Sequence, residues 1–230
     1  MSAAIARPVV YTPDNEPYLG RASVFHLDTL IHTCLRLNAD VAPLTYQGSK
    51  TIFQEAACHL IPQSISITLS IRELVRQGYL FGALVLVRPL AERTVILYYL
   101  HKYPAKVDLW ARGWPHTEAP SLATMSDQLG KGDARWQNLG ATITRPLNSI
   151  THGKPDSAQW SLIDLGEGNV AHGVSKLLDH PPLCDKVCDD TASWLLMIYI
   201  MMDIVFSRPD APTGASTAPE LSRHSHKQPQ

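Results

Sequence analysis

Residues 64–102 keep an apolar pattern at helical spacing almost without interruption, and this stretch constrains the fold more than any other part of the chain. Its second half, residues 82–100, is apolar nearly all round, which is typical of a helix at the centre of a protein. A single globular helix is seldom so long. We therefore expect a break between Gly78 and Gly82, or a kink at Pro89, where the proline removes a backbone donor.

Other segments also have the spacing of helices, and serines and prolines mark their ends. Ser64 and Ser121 are expected to cap the helices that follow them. Pro62 is expected to end the helix before Ser64, and the pair Pro181 and Pro182 to break the helix before them. The predicted helices outside residues 64–102 span residues 22–37, 51–60, 121–129, 135–152, 170–178 and 183–207.

Signals for strands are much weaker than signals for helices. Residues 157–165 alternate only weakly, which is consistent with an extended segment, and no two segments predict a convincing hairpin. Residues 102–120, rich in Trp and Pro, are predicted to form a loop. With about six or seven helices and helix-on-helix packing, the fold class we expect is all-α, a helical bundle with a long central helix pair.

The chain divides into three parts by composition. Residues 1–24 contain several helix breakers and predict an irregular N-terminal arm. Residues 25–207 carry the helical pattern and predict the helical domain. Residues 208–230 are rich in Pro, Ser, Thr and His with almost nothing apolar, which predicts a disordered C-terminal tail.

Charge and composition exclude some classes of function. The net charge of −1 argues against a protein that grips long nucleic acid by charge alone, although a small basic pocket remains compatible with it. Only 18% of the residues are charged, which suggests that a second copy of the chain covers part of the surface. Four scattered cysteines and no signal peptide favour a reduced, cytoplasmic setting. The most apolar stretches, residues 79–100 and 192–206, are too short or too charged to predict a membrane span.

The central apolar helix contains one pair of charged residues that could bind a ligand. Arg88 and Glu92 are four residues apart and therefore share a face of the helix. A charge taken out of water is costly unless it is paired. One interpretation is a structural ion pair that fixes the helix; the other is a pocket in which Arg88 or Glu92 meets a ligand.

A second group of polar residues lies near the end of the segment that spans residues 135–152. Arg145, Asn148 and His152 fall on one side of a helix. The planar guanidinium of arginine can form two hydrogen bonds to a phosphate, and histidine is suited to general acid/base catalysis. The three predict an anion pocket with a titratable group. The alternative is that Arg145 is a surface residue and that His152 and Gly153 only end a helix.

An arginine, four to six intervening residues and a histidine, late in a helical bundle, resemble the motif of the HEPN superfamily. Arg145 and His152 fit the long end of this spacing, and Asn148 resembles the polar position inside the motif. The stretch around Arg88 and Glu92 also resembles a group of uncharacterised bacterial helical proteins. The resemblance covers roughly residues 60–205.

This resemblance implies a metal-independent endoribonuclease without a cofactor, acting as a toxin or in phage defence. His152 would act as the acid/base group on the RNA 2′-hydroxyl, and Arg145 would stabilise charge on the phosphate. Asn148 would orient the phosphate or His152, and Glu92 would be a supporting residue. A ligand pocket at Arg88 follows from the buried charge itself and not from this resemblance. The partners implied are a second copy of the chain in a homodimer, RNA, and an antitoxin or defence-system protein. Two other functions stay open, a non-catalytic helical interaction module and a sensor of a small molecule or nucleotide.

Other residues could bind a metal or a base, but packing in the core or in a loop explains them more simply. His180, Cys184 and Cys188, with His172 before them, could ligate a metal, but buried structural cysteines fit the spacing better, so we expect no metal site. The aromatic residues that could stack on a base, or anchor the core and loops, are Tyr98, Tyr99, Trp110 and Trp114. The methionines expected to serve core or dimer packing are Met197, Met201 and Met202.

Overall fold

The computed structural model describes residues 16–46, 50–115, 119–131, 133, 136, 145–172 and 180–206. Its helices are α1 (Ala22–Val41), α2 (Ile52–Arg76), α3 (Leu80–Lys102), α4 (Val107–Ala111), α5 (Leu122–Gly130), α6 (Arg145–Thr151) and α7 (Pro181–Phe206). Its strands are β1 (Leu162–Gly166) and β2 (Asn169–His172). The structure confirms the all-α fold class, since the two strands form only a small sheet beside the helices.

Helices α2 and α3 form the long pair at the centre of the bundle. The chain turns between them at Gly78, whose φ of 78° suits glycine because it has no Cβ to clash. The predicted break is therefore confirmed, and Pro89 lies inside α3 without ending it. Because α3 packs against α2, α5, α6 and α7, it buries residues on nearly all its sides, among them Leu84, Val87 and Leu90.

The prediction that Pro62 ends a helix and that Ser64 begins the next one is wrong. Helix α2 continues through both residues, with Ser64 fully buried and its hydroxyl donating to the carbonyl of Leu60 at 2.8 Å. The helix begins instead after Thr51. There the Thr51 hydroxyl accepts from the Gln54 N–H at 3.1 Å, and the Gln54 side chain accepts from the Thr51 N–H at 3.0 Å.

The prediction that the chain has no hairpin is also wrong. Strands β1 and β2 pair antiparallel, with Leu162 opposite His172. Residues 166–168 turn the chain, and Gly166, Glu167 and Gly168 all have positive φ. Residues 170–172 belong to β2 rather than to the predicted helix, while residues 173–178 lie outside the described part of the chain. The sequence signal was weak because the register shifts between residues 164 and 166.

The ends of the remaining elements refine the sequence-based boundaries. Ser121 caps α5 as predicted, its hydroxyl accepting from the Thr124 N–H at 3.1 Å. The predicted loop at residues 102–120 contains the short helix α4. Pro181 and Pro182 lie in the first turn of α7, where a backbone N–H has no partner within the helix and its loss costs little. Whether they also break a helix before them stays a prediction, because residues 173–179 lie outside the described part of the chain. Residues 1–15 of the predicted arm and the whole predicted tail lie outside the described residues.

No helix in the described ranges combines the length and the apolar character that crossing a membrane requires.

Candidate functional site

The centre of the candidate site is an ion pair on α3. Arg88 Nε donates to Glu92 Oε1 at 2.9 Å, and Arg88 Nη2 lies 2.8 Å from the same oxygen. The Arg88 side chain is 13% exposed and the Glu92 side chain 41% exposed. The Glu92 carboxylate is therefore partly in contact with water, whereas Arg88 is mostly buried. An unpaired charge at the position of Arg88 would lower the stability of the fold.

The same guanidinium reaches the second group of polar residues that the sequence singled out. Arg88 Nη1 donates to Asn148 Oδ1 on α6, so that a single side chain joins α3 to α6. Arginine has donors only. The Asn148 amide must consequently turn its oxygen toward Arg88, which directs its Nδ2 donors elsewhere. The structure thus brings together Arg88, Glu92 and Asn148, which we call the Arg88 cluster.

Helix α6 packs against α3 and carries both buried and exposed residues. Leu147 and Ser149 are each 5% exposed. Asn148 between them is half-buried, whereas Pro146 and Thr151 are exposed. The two buried residues of α6 therefore flank Asn148, the residue that accepts the hydrogen bond from Arg88.

His152 lies one turn beyond Asn148, at the surface. Its backbone N–H donates to the Asn148 carbonyl at 3.0 Å, so the helical turn continues to His152, and Gly153 then ends it with a φ of 60°. Arg145 is the first residue of α6, but its side chain lies outside the described part of the chain. With about 100° per residue, the backbone places Arg145, Asn148 and His152 within an arc of about 60°.

The predicted alternative for the cysteines agrees with the structure. Cys184 and Cys188 are fully buried in α7, and the hydrogen bond with Cys184, together with burial, raises the pKa of the Cys188 thiol. His180 Nδ1 accepts from the Leu183 N–H at 3.3 Å and so serves as a cap of α7. Within the described ranges no three ligand side chains gather as a metal site would require. The side chain of His172 lies outside those ranges.

The aromatic residues separate into core residues and one residue beside a pocket. Tyr98 packs on Trp136 with ring centroids 5.1 Å apart, and its hydroxyl donates to the Met197 carbonyl at 3.1 Å. Tyr99 is 3% exposed and lies edge-on to Trp114, with centroids 6.5 Å apart. Met201 and Met202 are buried, as core packing predicts.

Trp110 differs because it lines a pocket of about 360 Å³ between α2 and α4. We call this space the α2–α4 pocket. Sequence reasoning missed its polar residues, Glu55, His59 and Gln63, because it ended the helix at Pro62. Their spacing of four residues was the signal that could have found them. The full lining is Ile52, Glu55, Ala56, His59, Gln63, Trp110 and Ala111.

A second pocket of about 250 Å³ lies where α1, α2 and the end of α7 meet. It is lined mostly by apolar groups, with Cys58 and Asn38 among its polar ones. Burial raises the pKa of the Cys58 thiol, which makes it a poorer nucleophile at neutral pH.

Comparison with known proteins adds one similarity. The model of a family of unknown function (DUF5677) matches residues 54–113, which run from the first turn of α2 through α3 and α4. The matched segment includes Arg88, Glu92 and Trp110 and ends before α6. Neither the curated proteins nor the solved structures contain a match to the chain.

Proposed function

We propose that the chain is a HEPN-like, metal-independent endoribonuclease of the cytoplasm whose site is built from the Arg88 cluster, Arg145 and His152. The observation that carries the proposal is the hydrogen bond from Arg88 to Asn148. It ties a charged pair on the central helix to the helix that begins at Arg145 and is followed by His152. A cluster placed in this way is preorganised, because its supporting helix is fixed by the core.

In the proposed reaction the nucleophile belongs to the RNA. His152 takes the proton of a 2′-hydroxyl, the 2′-oxygen bonds to the adjacent phosphorus, and the bond from phosphorus to the 5′-oxygen breaks. The products are a 2′,3′-cyclic phosphate and a 5′-hydroxyl strand, whose oxygen takes a proton from water. No electron acceptor and no metal is needed for this transfer.

The other residues have supporting roles in this proposal. Asn148 offers its Nδ2 donors to a phosphate oxygen, since its Oδ1 accepts from Arg88. Arg145 stabilises the negative charge that builds on the phosphate. Arg88 and Glu92 bind each other, so they act as positioning residues that hold Asn148 and α6 in place.

Incubation of the purified chain with mixed RNA in EDTA tests the proposal. Wild type should cut, and His152→Ala should lose about 10²–10⁴-fold of the rate, the usual contribution of a general acid or base. His32→Ala, which removes an exposed histidine on α1, should cut like wild type. Circular dichroism checks that both variants are folded. Equal cutting by wild type and His152→Ala, or no cutting in EDTA, would contradict the proposal.

The exposed side of α7 favours a second candidate, a helical interaction module. Leu196, Ile200 and Ile204 are 46%, 41% and 51% exposed and follow one another at every fourth residue. A continuous apolar stripe on a helix is suited to pack against the same stripe of a second copy around a two-fold axis. Under this candidate, and in the homodimer that the HEPN resemblance implies for the ribonuclease, Ile200→Asp should convert a dimer to a monomer in light scattering. A monomeric wild type would contradict both.

A further inference from the structure

The α2–α4 pocket has the size and the mixed lining of a small-molecule site. Its volume of about 360 Å³ lies within the range of about 300–1,000 Å³ found for ligand pockets. Trp110 and Ile52 supply apolar surface on opposite helices. Such a pocket binds a flat, partly apolar ligand better than it binds a strongly hydrated ion.

Three polar side chains line one helical wall of this pocket. Glu55, His59 and Gln63 follow one another at intervals of four residues on α2, so they point to the same side. All three residues are exposed, and the Glu55 carboxylate forms no ion pair with any residue that the structure describes. The Glu55 carboxylate lies beside Trp110 and can accept a hydrogen bond from a ligand in the pocket.

The orientation of Gln63 is set by a neighbouring arginine. Arg93 Nε donates to Gln63 Oε1 at 3.0 Å, and Arg93 Nη1 donates to the Pro89 carbonyl at 3.0 Å. Because the Gln63 oxygen faces Arg93, its Nε2 donors are directed away from Arg93. The wall therefore offers an acceptor at Glu55 and donors at Gln63, with His59 between them able to donate or accept.

We propose that the α2–α4 pocket binds a nucleobase that carries an exocyclic amino group, with cytosine as the simplest example. The Trp110 indole supplies a stacking surface. The Glu55 carboxylate accepts from the amino group, as acidic side chains do from cytosine N4, and Gln63 donates to a ring acceptor. Uracil presents a carbonyl oxygen at the same position, which a carboxylate repels. The inference concerns binding alone and does not depend on RNA cleavage at His152.

The measurement is the binding of CMP and UMP to the full chain by titration calorimetry. Wild type should bind CMP at least about tenfold more tightly than UMP, the discrimination expected from one specific side-chain contact to a base. Glu55→Gln should bring the two affinities together, since an amide serves both nucleotides. Glu73→Gln makes the same change near the other end of α2, where Glu73 binds Arg76, and should leave the CMP preference unchanged.

Two variants of Trp110 test the stacking surface. Trp110→Leu should lower the affinity for both CMP and UMP about tenfold or more. Trp110→Phe keeps an aromatic ring and should retain most of the affinity. Because Trp110 packs partly against the core, thermal melting checks that each variant is folded. Binding by Trp110→Leu equal to that of Trp110→Phe would overturn the stacking assignment.

The base could come from a free nucleotide or from a single strand of RNA, and a second ligand separates these sources. If a short oligocytidylate binds far more tightly than CMP, with the same loss in Glu55→Gln, the pocket holds one base of a strand. If CMP binds as tightly as the oligomer, the pocket takes a free nucleotide. Failure of both to bind, equal binding of CMP and UMP to wild type, or an unchanged preference in Glu55→Gln would overturn the proposal.

Discussion

Arg88 of α3 donates a hydrogen bond to the side chain of Asn148 of α6, although the two residues are 60 positions apart in the chain. Arg88 also binds Glu92 on its own helix, so its guanidinium serves two acceptors at once. This hydrogen bond is one of the contacts that hold α6 against the central helix pair. It makes the geometry of the proposed site depend on a residue that does not itself take part in the reaction.

The first prediction concerns the coupling between these two residues. Arg88→Ala leaves Asn148 Oδ1 and the Glu92 carboxylate without their donor, and should lower the free energy of unfolding by about 1–3 kcal/mol. In a double-mutant cycle with Asn148→Ala, the interaction energy should be about 0.5–3 kcal/mol, since the residues touch. Urea denaturation of the four proteins gives both values.

A matched control for this cycle is the pair Arg76 and Glu73 on α2, which also joins an arginine to a carboxylate. Because Glu73 is exposed and the Arg76 side chain is twice as exposed as that of Arg88, at 26% against 13%, Arg76→Ala should cost about 0.2–1 kcal/mol at most. Additive effects of Arg88→Ala and Asn148→Ala would contradict the proposed coupling.

Sequence patterns could predict local relationships in this chain but not distant ones. The spacing of Arg88 and Glu92 was enough to place them on one face, because helical geometry alone decides it. The contact between Arg88 and Asn148 depends on how α6 packs on α3, which no local spacing encodes. Sequence reasoning therefore named the residues of the Arg88 cluster without showing that they form one group.

Prolines were the main source of error in the helix boundaries. Pro62 lies in the middle of α2, and Pro182 in the first turn of α7. A proline disfavours a helix interior, yet a long helix held by tertiary packing can accept the local cost. Packing of α2 against α3, α7 and α1 is the information that the local pattern lacks.

The second prediction follows from the position of Pro62. Pro62→Ala restores an N–H that can donate to the carbonyl one turn earlier, at Cys58, and removes a steric clash. Part of the gain is offset because alanine makes the unfolded chain more flexible. The free energy of unfolding should rise by about 1–2 kcal/mol, measured by urea denaturation.

Pro182→Ala is the matched control for this change. Pro182 lies in the first turn of α7, where a backbone N–H has no partner within the helix, so the substitution should give no comparable gain. Equal stabilisation by Pro62→Ala and Pro182→Ala would show that the effect does not come from the helix interior.

The third prediction concerns the end of α5. Lys102 Nζ donates to the carbonyls of Gln128, Leu129 and Lys131 at 3.1, 3.1 and 3.0 Å. A cation there satisfies carbonyls that the helix leaves without partners and favours the helix dipole. Lys102→Met keeps the apolar stem but removes these bonds, and should cost about 1 kcal/mol.

Hydrogen exchange can localise this effect. In Lys102→Met, amide protection should fall in α5 more than in α1, since the carbonyls at the end of α5 lose the ammonium group that binds them, although Gln128 keeps the hydrogen bond from the Tyr103 hydroxyl at 3.2 Å. Lys106→Met, at an exposed position four residues later, is the control and should leave α5 protected as in wild type. A uniform loss of protection over both helices would argue that Lys102 acts on the whole fold rather than on α5.

The fourth prediction concerns pH and the contact between the start of α1 and α7. The Arg21 guanidinium and the Ser23 hydroxyl, which both donate to the Asp185 carboxylate, lower the pKa of that carboxyl to about 2. An unfolded aspartate has a pKa of about 3.9. The charged form therefore stabilises the fold above about pH 4, and this contribution is lost as the pH falls toward 2.

Asp185→Asn should consequently be less stable than wild type at pH 6, and the difference should shrink as the pH falls from 4 to 2. Melting temperatures across this range measure it. Arg21→Gln leaves the carboxylate but removes its strongest donor, so it should show a smaller dependence on pH than wild type. A difference between wild type and Asp185→Asn that stays constant from pH 6 to pH 2 would mean that the asparagine acts through packing, and that the charge of Asp185 does not stabilise the junction of α1 and α7.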